Sequence, residues 1–240
     1  PLAYERSRRW ALLQESPTRG LIARAALLRE RFDHILTFDK ELLAEGPPFE
    51  RLLYGTSWVN RGRPPKTATY EKTSLVSFVG SIRHPDVAGY GLRRRVAQIC
   101  AADSRIECWG RGIRNFVAKE EAVAPYRFSI CMENTRSDFY FTEKLVDCIV
   151  TDTIPVYWGC RGISEILDPR GMIIFNEEAE LRDELCSLSP SRYEAMIPYC
   201  RANRERLFDL KLTGHETLYE RIVEQIVDSM PEEMTRQGVR

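Results

Sequence analysis

Three consecutive residues, Thr142, Glu143 and Lys144, open a predicted helix that follows a strand and a polar loop. Thr is a favourable N-cap and Glu suits the first turn, whereas Lys in the first turn opposes the helix dipole. The free N–H groups of such a turn attract anions, and a bound phosphate would account for the lysine. The segment therefore predicts a diphosphate site; the alternative is an ordinary solvated lysine on a capped helix.

The elements that must position these residues follow an α/β alternation of short apolar runs and longer helical stretches. Near the start of the chain, residues 10–13 and 34–38 have the pattern of short strands. Residues 21–32 have helical spacing, and Asp39 is placed to cap a brief helix. These elements are typical of an α/β fold, but they are too few for an ordinary Rossmann-type lobe.

A break at residues 59–73, rich in Pro and polar residues, separates this part from a more regular one. Five strands with interleaved helices are predicted after the break, and from 177 onward the pattern is helical. Such an arrangement predicts a parallel, doubly wound sheet that binds ligands at the carboxyl ends of its strands. The predicted strands cover residues 75–79, 106–109, 126–132, 153–158 and 171–175.

The chain accordingly divides into a first lobe at residues 1–60, a linker at 61–73 and a ligand-binding lobe at 74–240. The two closing helices, at 191–209 and 215–229, are expected to pack across both lobes, by analogy with other two-lobed folds.

Composition excludes several classes of protein. The 35 basic and 35 acidic residues balance, so the chain has no overall field that would attract nucleic acid or an anionic membrane. No apolar run approaches the roughly 20 residues that span a bilayer, although peripheral membrane association stays open. The chain begins without Met and without the layout of a signal peptide, so we expect a processed or truncated N-terminus.

The seven cysteines are an odd number and form no C-x-x-C pair. We interpret them as buried free thiols, which favours a reducing compartment over a disulfide framework or a zinc site. A bacterial-type cytoplasm is the predicted location, with a trimmed luminal Golgi domain as the alternative. No Asp-x-Asp pair occurs and the three histidines are not spaced as metal ligands, so no metal site is predicted.

The segment from Tyr126 to Gly159 resembles the signature of glycosyltransferase family 10, the α-1,3-fucosyltransferases. That signature is approximately Y-K-F-x-L-x-F-E-N-S, a short loop, Y-x-T-E-K, a helix, and T-x-P-x-Y-W-G. The matching residues are Tyr126, Phe128, Glu133, Asn134, Tyr140, Thr142, Glu143, Lys144, Thr153, Pro155, Tyr157, Trp158 and Gly159.

The resemblance implies a GT-B-type fold, with a Rossmann-like donor lobe preceded by a truncated α/β acceptor lobe. It also implies a donor substrate, GDP-fucose, and a glycan acceptor whose hydroxyl attacks the sugar in one inverting displacement. No cofactor is implied, and a divalent metal is not required. The acceptor, the use of another GDP-sugar and the oligomeric state stay open.

The family's donor-site residues carry over to several positions here. Lys144 and an arginine after the first donor-lobe strand would grip the pyrophosphate. That arginine best matches Arg93, but Arg94 and Arg95 follow directly, and neighbouring side chains on a helix diverge by about 100 degrees. A solvated basic face is the alternative for this triplet.

Three further residues would complete the donor site according to the same resemblance. Glu143 would hold hydroxyl groups of the ribose or fucose, Tyr140 would line the sugar site, and Asn134 would fix the loop or the nucleotide. The family's general base matches Glu15, which follows the first predicted strand. A strand-end carboxylate without a catalytic role is the alternative for Glu15.

Two other functions compete with fucosyl transfer. Trp109–Gly112 follows a strand and Glu133 lies about 20 residues further on, as in a dinucleotide-binding dehydrogenase. However, Asn115 occupies the position of the third glycine, and no convincing helix begins there. The second alternative is a non-catalytic module that binds a sugar nucleotide or a glycan, which the short first lobe favours.

Overall fold

The computed structural model describes residues 9–14, 25–83 and 89–229 and has an α/β architecture with two parallel sheets. The strands are β1 (Trp10–Leu13), β2 (His34–Thr37), β3 (Phe49–Arg51), β4 (Ser74–Val79), β5 (Ile106–Trp109), β6 (Tyr126–Met132), β7 (Ile154–Trp158) and β8 (Ile173–Ile174). The helices are α1 (Ala25–Arg29), α2 (Lys40–Ala44), α3 (Gly89–Ala101), α4 (Glu120–Val123), α5 (Glu143–Val150), α6 (Glu178–Ser187), α7 (Pro190–Asp209) and α8 (His215–Asp228).

The first lobe is a small sheet in the order β1-β2-β3, with all pairs parallel. Leu13, Ile35 and Phe49, one from each strand, pack together in its core. They lie on the same face of the sheet, because side chains along a strand alternate between its two faces. Asp39 caps α2 as predicted, since its carboxylate accepts hydrogen bonds from the N–H groups of Glu41 and Leu42, both at 3.1 Å. The lobe is thus small but has a core of its own.

The second lobe is a five-stranded parallel sheet in the order β5-β4-β6-β7-β8. The central strands β6 and β7 are buried along almost their whole length, which is expected for a sheet covered by helices on both faces. All five predicted strands and their parallel pairing are confirmed. The carboxyl ends of β4, β5 and β6 therefore lie side by side.

The closing helices together pack on both lobes, although each packs mainly on one of them. α7 packs on α5 and on the second sheet, whereas α8 packs on the first lobe. On α8, Leu218 contacts Leu36 and Leu52 in one apolar cluster, and Arg221 donates a hydrogen bond to the Leu53 carbonyl at 2.7 Å. The last helix thereby holds the small sheet against the larger body.

Arg204 of α7 fixes the segment predicted as a linker. Its buried guanidinium donates hydrogen bonds to the carbonyls of Pro65, Lys66 and Ala68 at 2.6–3.1 Å. It also pairs with the buried carboxylate of Asp152 at 3.0 Å. This part of the connection is therefore held along the second lobe.

All seven cysteines are free, as the sequence indicates. The expectation that they are buried is wrong for Cys186, which is exposed on α6, and holds only in part for Cys108, which is half-buried. Both lie on elements with one face toward solvent. Among the described residues, no helix is both long and apolar enough to cross a bilayer.

Candidate active site

A cavity of about 440 Å³ lies at the carboxyl ends of β4, β5 and β6. The loops after these strands form its floor, and the start of α5 forms one wall. Residues from the first lobe and the connection also line it, namely Gln14, Tyr54 and Trp58. The cavity is therefore placed between the lobes, at the edge where a parallel doubly wound sheet binds ligands.

Close packing of two backbone loops shapes the cavity floor. Gly110 has φ +121°, and a Cβ atom there would lie 2.0 Å from the Gly80 carbonyl oxygen. The glycine pattern after β5 thus permits loop contact, and no described helix begins at Gly112. Glu133, the candidate ribose acid of a dehydrogenase, is fully buried and bonded to Thr142. The glycine pattern does not open a helix that could bind a dinucleotide phosphate, and Glu133 is not free to bind a ribose. The structure therefore does not support the dehydrogenase alternative.

Arg93 lies between the cavity and the end of β6. Its Nη2 donates hydrogen bonds to the carbonyls of Met132 and Glu133, both at 2.7 Å, and to Oδ1 of Asn134 at 3.0 Å. Only 3% of Arg93 is exposed, and its buried Nε has no hydrogen-bond partner among the described residues. Burial lowers the pKa of Arg93, and Tyr90 and Glu133 counteract that shift. The guanidinium is thus held in place with donor capacity to spare.

The structure distinguishes the three consecutive arginines of α3. Arg93 lines the cavity, whereas Arg94 is only half-buried and does not line it. Arg95 is exposed and forms an ion pair with Glu178 of α6. Arg93 is therefore the member of the triplet that can contact a ligand in this cavity.

The start of α5 is built on a buried carboxylate. Glu133 accepts hydrogen bonds from the N–H and the hydroxyl group of Thr142, both at 2.8 Å. The Thr142 hydroxyl in turn accepts a hydrogen bond from the Lys144 ammonium at 2.9 Å. Thr142 is the N-cap that the sequence indicates, and it also orients the lysine.

Lys144 is charged in this environment. Burial by itself lowers the pKa of Lys144, but the carboxylates of Glu133 and Glu143, 3.5 Å and 3.1 Å from Nζ, outweigh burial and raise the pKa above its usual range. Burial raises the pKa of Glu143, and Lys144 and Lys119 outweigh that contribution and lower it. Both side chains line the cavity as ions.

The other predicted donor-site residues reach the same cavity. Tyr140 lines it and packs against Phe38 of the first lobe, with ring centroids 4.8 Å apart. Asn134 lines it as well, and its backbone carbonyl accepts a hydrogen bond from the Gly89 N–H at 3.0 Å. Glu15 lies outside the described residues; Gln14, which precedes it, lines the cavity.

Three residues with a role at this site were not predicted. Glu133 belongs to the matched signature, but its function in holding Thr142 was not anticipated. Asp147, whose carboxylate accepts a hydrogen bond from the N–H of the cavity residue Trp58, is the one acid in the apolar segment of α5, which is a signal that could have been noticed. Lys119 has no sequence signal, because only the tertiary fold brings it to the cavity.

No metal ligand set accompanies these groups within residues 9–14, 25–83 and 89–229. No group of three or more His, Cys, Asp or Glu side chains in that part of the chain is arranged to hold a metal ion. The positive charge at the cavity comes from arginine and lysine side chains.

Comparison with known proteins agrees with the geometry of the site. The model of glycosyltransferase family 10 (fucosyltransferase), C-terminal region, matches residues 69–199, which is more than half of the 240-residue chain. An alpha-(1,3)-fucosyltransferase of Helicobacter pylori, FucT, is 29% identical over 104 residues. That match covers 42% of this chain and 21% of the H. pylori protein, so the chain spans about a fifth of that relative's length.

Solved structures have the same fold. A crystal structure of an α1,3-fucosyltransferase with GDP aligns with a TM-score of 0.57 and 18% identity, covering 92% of this chain and 76% of the other. A second, solved with GDP-fucose, aligns with a TM-score of 0.55 and 18% identity, covering 85% and 74%. The predicted GT-B-type fold is thus confirmed. With the family match over the residues that build the cavity, the chain belongs to glycosyltransferase family 10, the fucosyltransferase family.

Proposed function

We propose that this protein transfers fucose from GDP-fucose to a hydroxyl group of a glycan acceptor, with inversion at the anomeric carbon. The observation that carries the proposal is the convergence of Arg93, Asn134, Tyr140, Glu143 and Lys144 on one cavity between the lobes. Membership in the fucosyltransferase family supports it, as does a relative of the same fold that was solved with GDP-fucose.

The two cations of the site suit a diphosphate leaving group. Lys144 is a charged ammonium held by Thr142 and Glu143, and Arg93 is a guanidinium with a buried, unused donor. When the bond to fucose breaks, negative charge develops on the departing GDP. Preoriented donors in a water-poor cavity stabilise such charge without reorganisation. The side chains and the N–H groups at the start of α5 are therefore proposed to replace a metal ion.

On the acceptor side, we assign the proton acceptor to Glu15. The supporting observation is that Gln14, one residue earlier, follows β1 and lines the same cavity as Lys144 from the first-lobe side. A base at this side of the crevice would take the proton from the attacking hydroxyl as GDP leaves on the other side. A single displacement of this kind needs no covalent intermediate.

Location in a reducing compartment, a bacterial-type cytoplasm, is proposed from the thiols. None of the seven cysteines is paired, and five are buried in the second lobe. Proteins in oxidising compartments more often use such residues in disulfides.

An assay with GDP-fucose and a panel of glycan acceptors tests the proposal. We expect fucosylated product and GDP in equal amounts, in EDTA as well as without it. Complete, metal-reversible loss of activity in EDTA would contradict the assignment of the leaving-group charge to Lys144 and Arg93. Binding of GDP-fucose without transfer to any acceptor would favour the non-catalytic module, and transfer from another GDP-sugar alone would change the donor.

A further inference from the structure

Besides Arg93, Lys144 and the exposed Arg111, one further cationic side chain lines the cavity. Lys119, just before α4, lines the cavity and is only 7% exposed. Its ammonium lies 5.7 Å from the ring centroid of Trp58 and 5.8 Å from that of Phe116, both of which also line the cavity. This aromatic end of the cavity, formed by Trp58, Phe116 and Lys119, has no part in the phosphate contacts proposed above.

Lys119 has donors to spare. Its nearest anionic atom is Oδ2 of Asp147 at 3.6 Å, which is beyond hydrogen-bond distance. Oδ2 of Asp147 is buried without a hydrogen-bond partner within the described part of the chain, and the Lys119 ammonium is joined to it only as an ion pair. An ammonium that lines a cavity without a close acceptor favours a ligand that supplies one.

Asp147 also fixes the position of Trp58. Its Oδ1 accepts hydrogen bonds from the Ser57 hydroxyl at 2.7 Å and from the Trp58 N–H at 2.8 Å. Asp147 lies on α5, one turn after Glu143, so the connection between the lobes is tied to the helix that opens the phosphate end. The Trp58 side chain itself remains 51% exposed at the cavity and offers an indole face for stacking.

The two ends of the cavity differ in chemistry. Arg93, Asn134 and Lys144 cluster around the end of β6, where two cations suit a diphosphate. Lys119 instead lies near the rings of Trp58 and Phe116 and near the carboxylate of Asp147. Flat aromatic surfaces with one directed cation suit a planar heterocycle that carries an acceptor.

We propose that the aromatic end binds the purine base of the donor nucleotide and that Lys119 donates a hydrogen bond to a carbonyl oxygen of that base. This inference rests on the proposed function, since it takes the diphosphate to lie at Arg93 and Lys144. Guanine presents a carbonyl oxygen where adenine presents an amino group. The Lys119 ammonium can donate a hydrogen bond to the guanine carbonyl oxygen but not to the adenine amino group. Lys119 therefore selects guanine, because adenine would leave the ammonium without an acceptor.

Affinities for GDP and ADP, which share ribose and diphosphate, test the inference by calorimetry or competition. In Lys119→Met we expect GDP binding to weaken by about tenfold to a hundredfold, the usual share of a charge-assisted hydrogen bond. ADP binding should change little, so the preference for GDP should largely disappear. Equal weakening of GDP and ADP would place Lys119 at the phosphates and overturn the inference, and so would an unchanged GDP affinity.

Trp58→Ala and Trp58→Phe provide a second, independent test, because the exposed ring can be changed without opening the core. We expect Trp58→Ala to weaken GDP binding about fivefold to a hundredfold and Trp58→Phe to retain most of it, since loss of aromatic stacking on a base has an effect of that size. Wild-type affinity in Trp58→Ala would overturn the inference even if Lys119→Met fails to fold. Failure of the wild-type protein to bind GDP at all would instead reject the proposed donor.

Discussion

The carboxylate of Glu133 and the N-cap Thr142 are joined by two hydrogen bonds, each 2.8 Å long. Glu133 directly follows β6 and Thr142 is the N-cap of α5, so this contact ties the end of the strand to the start of the helix. The hydroxyl that donates to Glu133 also accepts a hydrogen bond from Lys144 at 2.9 Å. One buried carboxylate therefore positions the ammonium that we assign to the diphosphate.

Comparing the loss of the Thr142 hydroxyl with the loss of another helix cap tests whether Thr142 acts in ligand binding as well as in capping. We expect Thr142→Val to lose about 1 kcal/mol of stability, as a lost N-cap does, and also to weaken GDP binding. Ser189→Ala is the matched control: Ser189 caps α7 by accepting a hydrogen bond from the Arg192 N–H at 3.2 Å, outside the cavity. The control should lose similar stability and keep its GDP affinity. Equal GDP affinity in both variants would rule out a positioning role for Thr142.

Arg204 should be important for the stability of the interlobe connection. It is buried and pairs with Asp152, which Arg201 also contacts from a largely exposed position. We expect Arg204→Met to cost about 3–5 kcal/mol in free energy of unfolding, because Asp152 and the carbonyls of the connection lose a buried partner. Arg201→Met should cost less than about 1 kcal/mol. Urea denaturation measures both, and similar costs would show that burial of the pair is unimportant.

Titration of Asp147 should make the free energy of unfolding depend on pH. Burial raises the pKa of Asp147 to about 6, and Lys119 and the Ser57 hydroxyl only partly offset this shift. The folded state therefore binds a proton more tightly than the unfolded state, whose aspartate titrates near 3.9. The resulting stabilisation is complete below the unfolded pKa and is lost as pH rises through about 6.

In Asp147→Asn that pH dependence should disappear. The wild-type unfolding free energy should fall by about 2–3 kcal/mol relative to the variant between pH 4 and pH 7, since one pKa unit corresponds to about 1.4 kcal/mol. Parallel curves for the two proteins over this range would show that Asp147 does not titrate there.

The proton acceptor assigned to Glu15 has a kinetic test. Glu15→Gln keeps the shape of the side chain and removes its basicity, so turnover should fall by about 10²–10⁴-fold. GDP binding should barely change, because the residue is assigned to the acceptor side. Glu15→Asp serves as the companion variant that retains a carboxylate and should recover part of the rate. Transfer at the wild-type rate in Glu15→Gln would remove Glu15 from the mechanism.

The fold was largely predictable because its signals are local. Apolar runs such as β6 and β7 are buried on both faces, and Thr142 and Asp39 cap their helices through contacts two or three residues away. The common position of Asn134, Tyr140, Glu143 and Lys144 at one cavity was predictable for the same reason, since they are close in sequence, and their role in donor binding stays a prediction. Glu15 as the base stays a prediction.

The remaining features depend on contacts between distant parts of the chain. Only burial distinguishes Arg93 from its two neighbours, and a run of three arginines carries no such information. The Asp147 carboxylate meets Trp58 across 89 positions of sequence, and Lys119 joins them from a third segment. No spacing rule links these residues, so the aromatic end of the cavity emerges only from the packed structure.

Titration of GDP-fucose into the wild-type protein and Lys144→Ala tests the central claim most directly. We expect Lys144→Ala to bind about tenfold to a hundredfold more weakly, because a charge-assisted contact with the diphosphate contributes about 1.5–3 kcal/mol. Lys66→Ala, which removes an exposed lysine paired with Glu205 and Asp209 away from the cavity, should bind like the wild type. Unchanged affinity in a folded Lys144→Ala variant would contradict the assignment of this cavity to the sugar nucleotide.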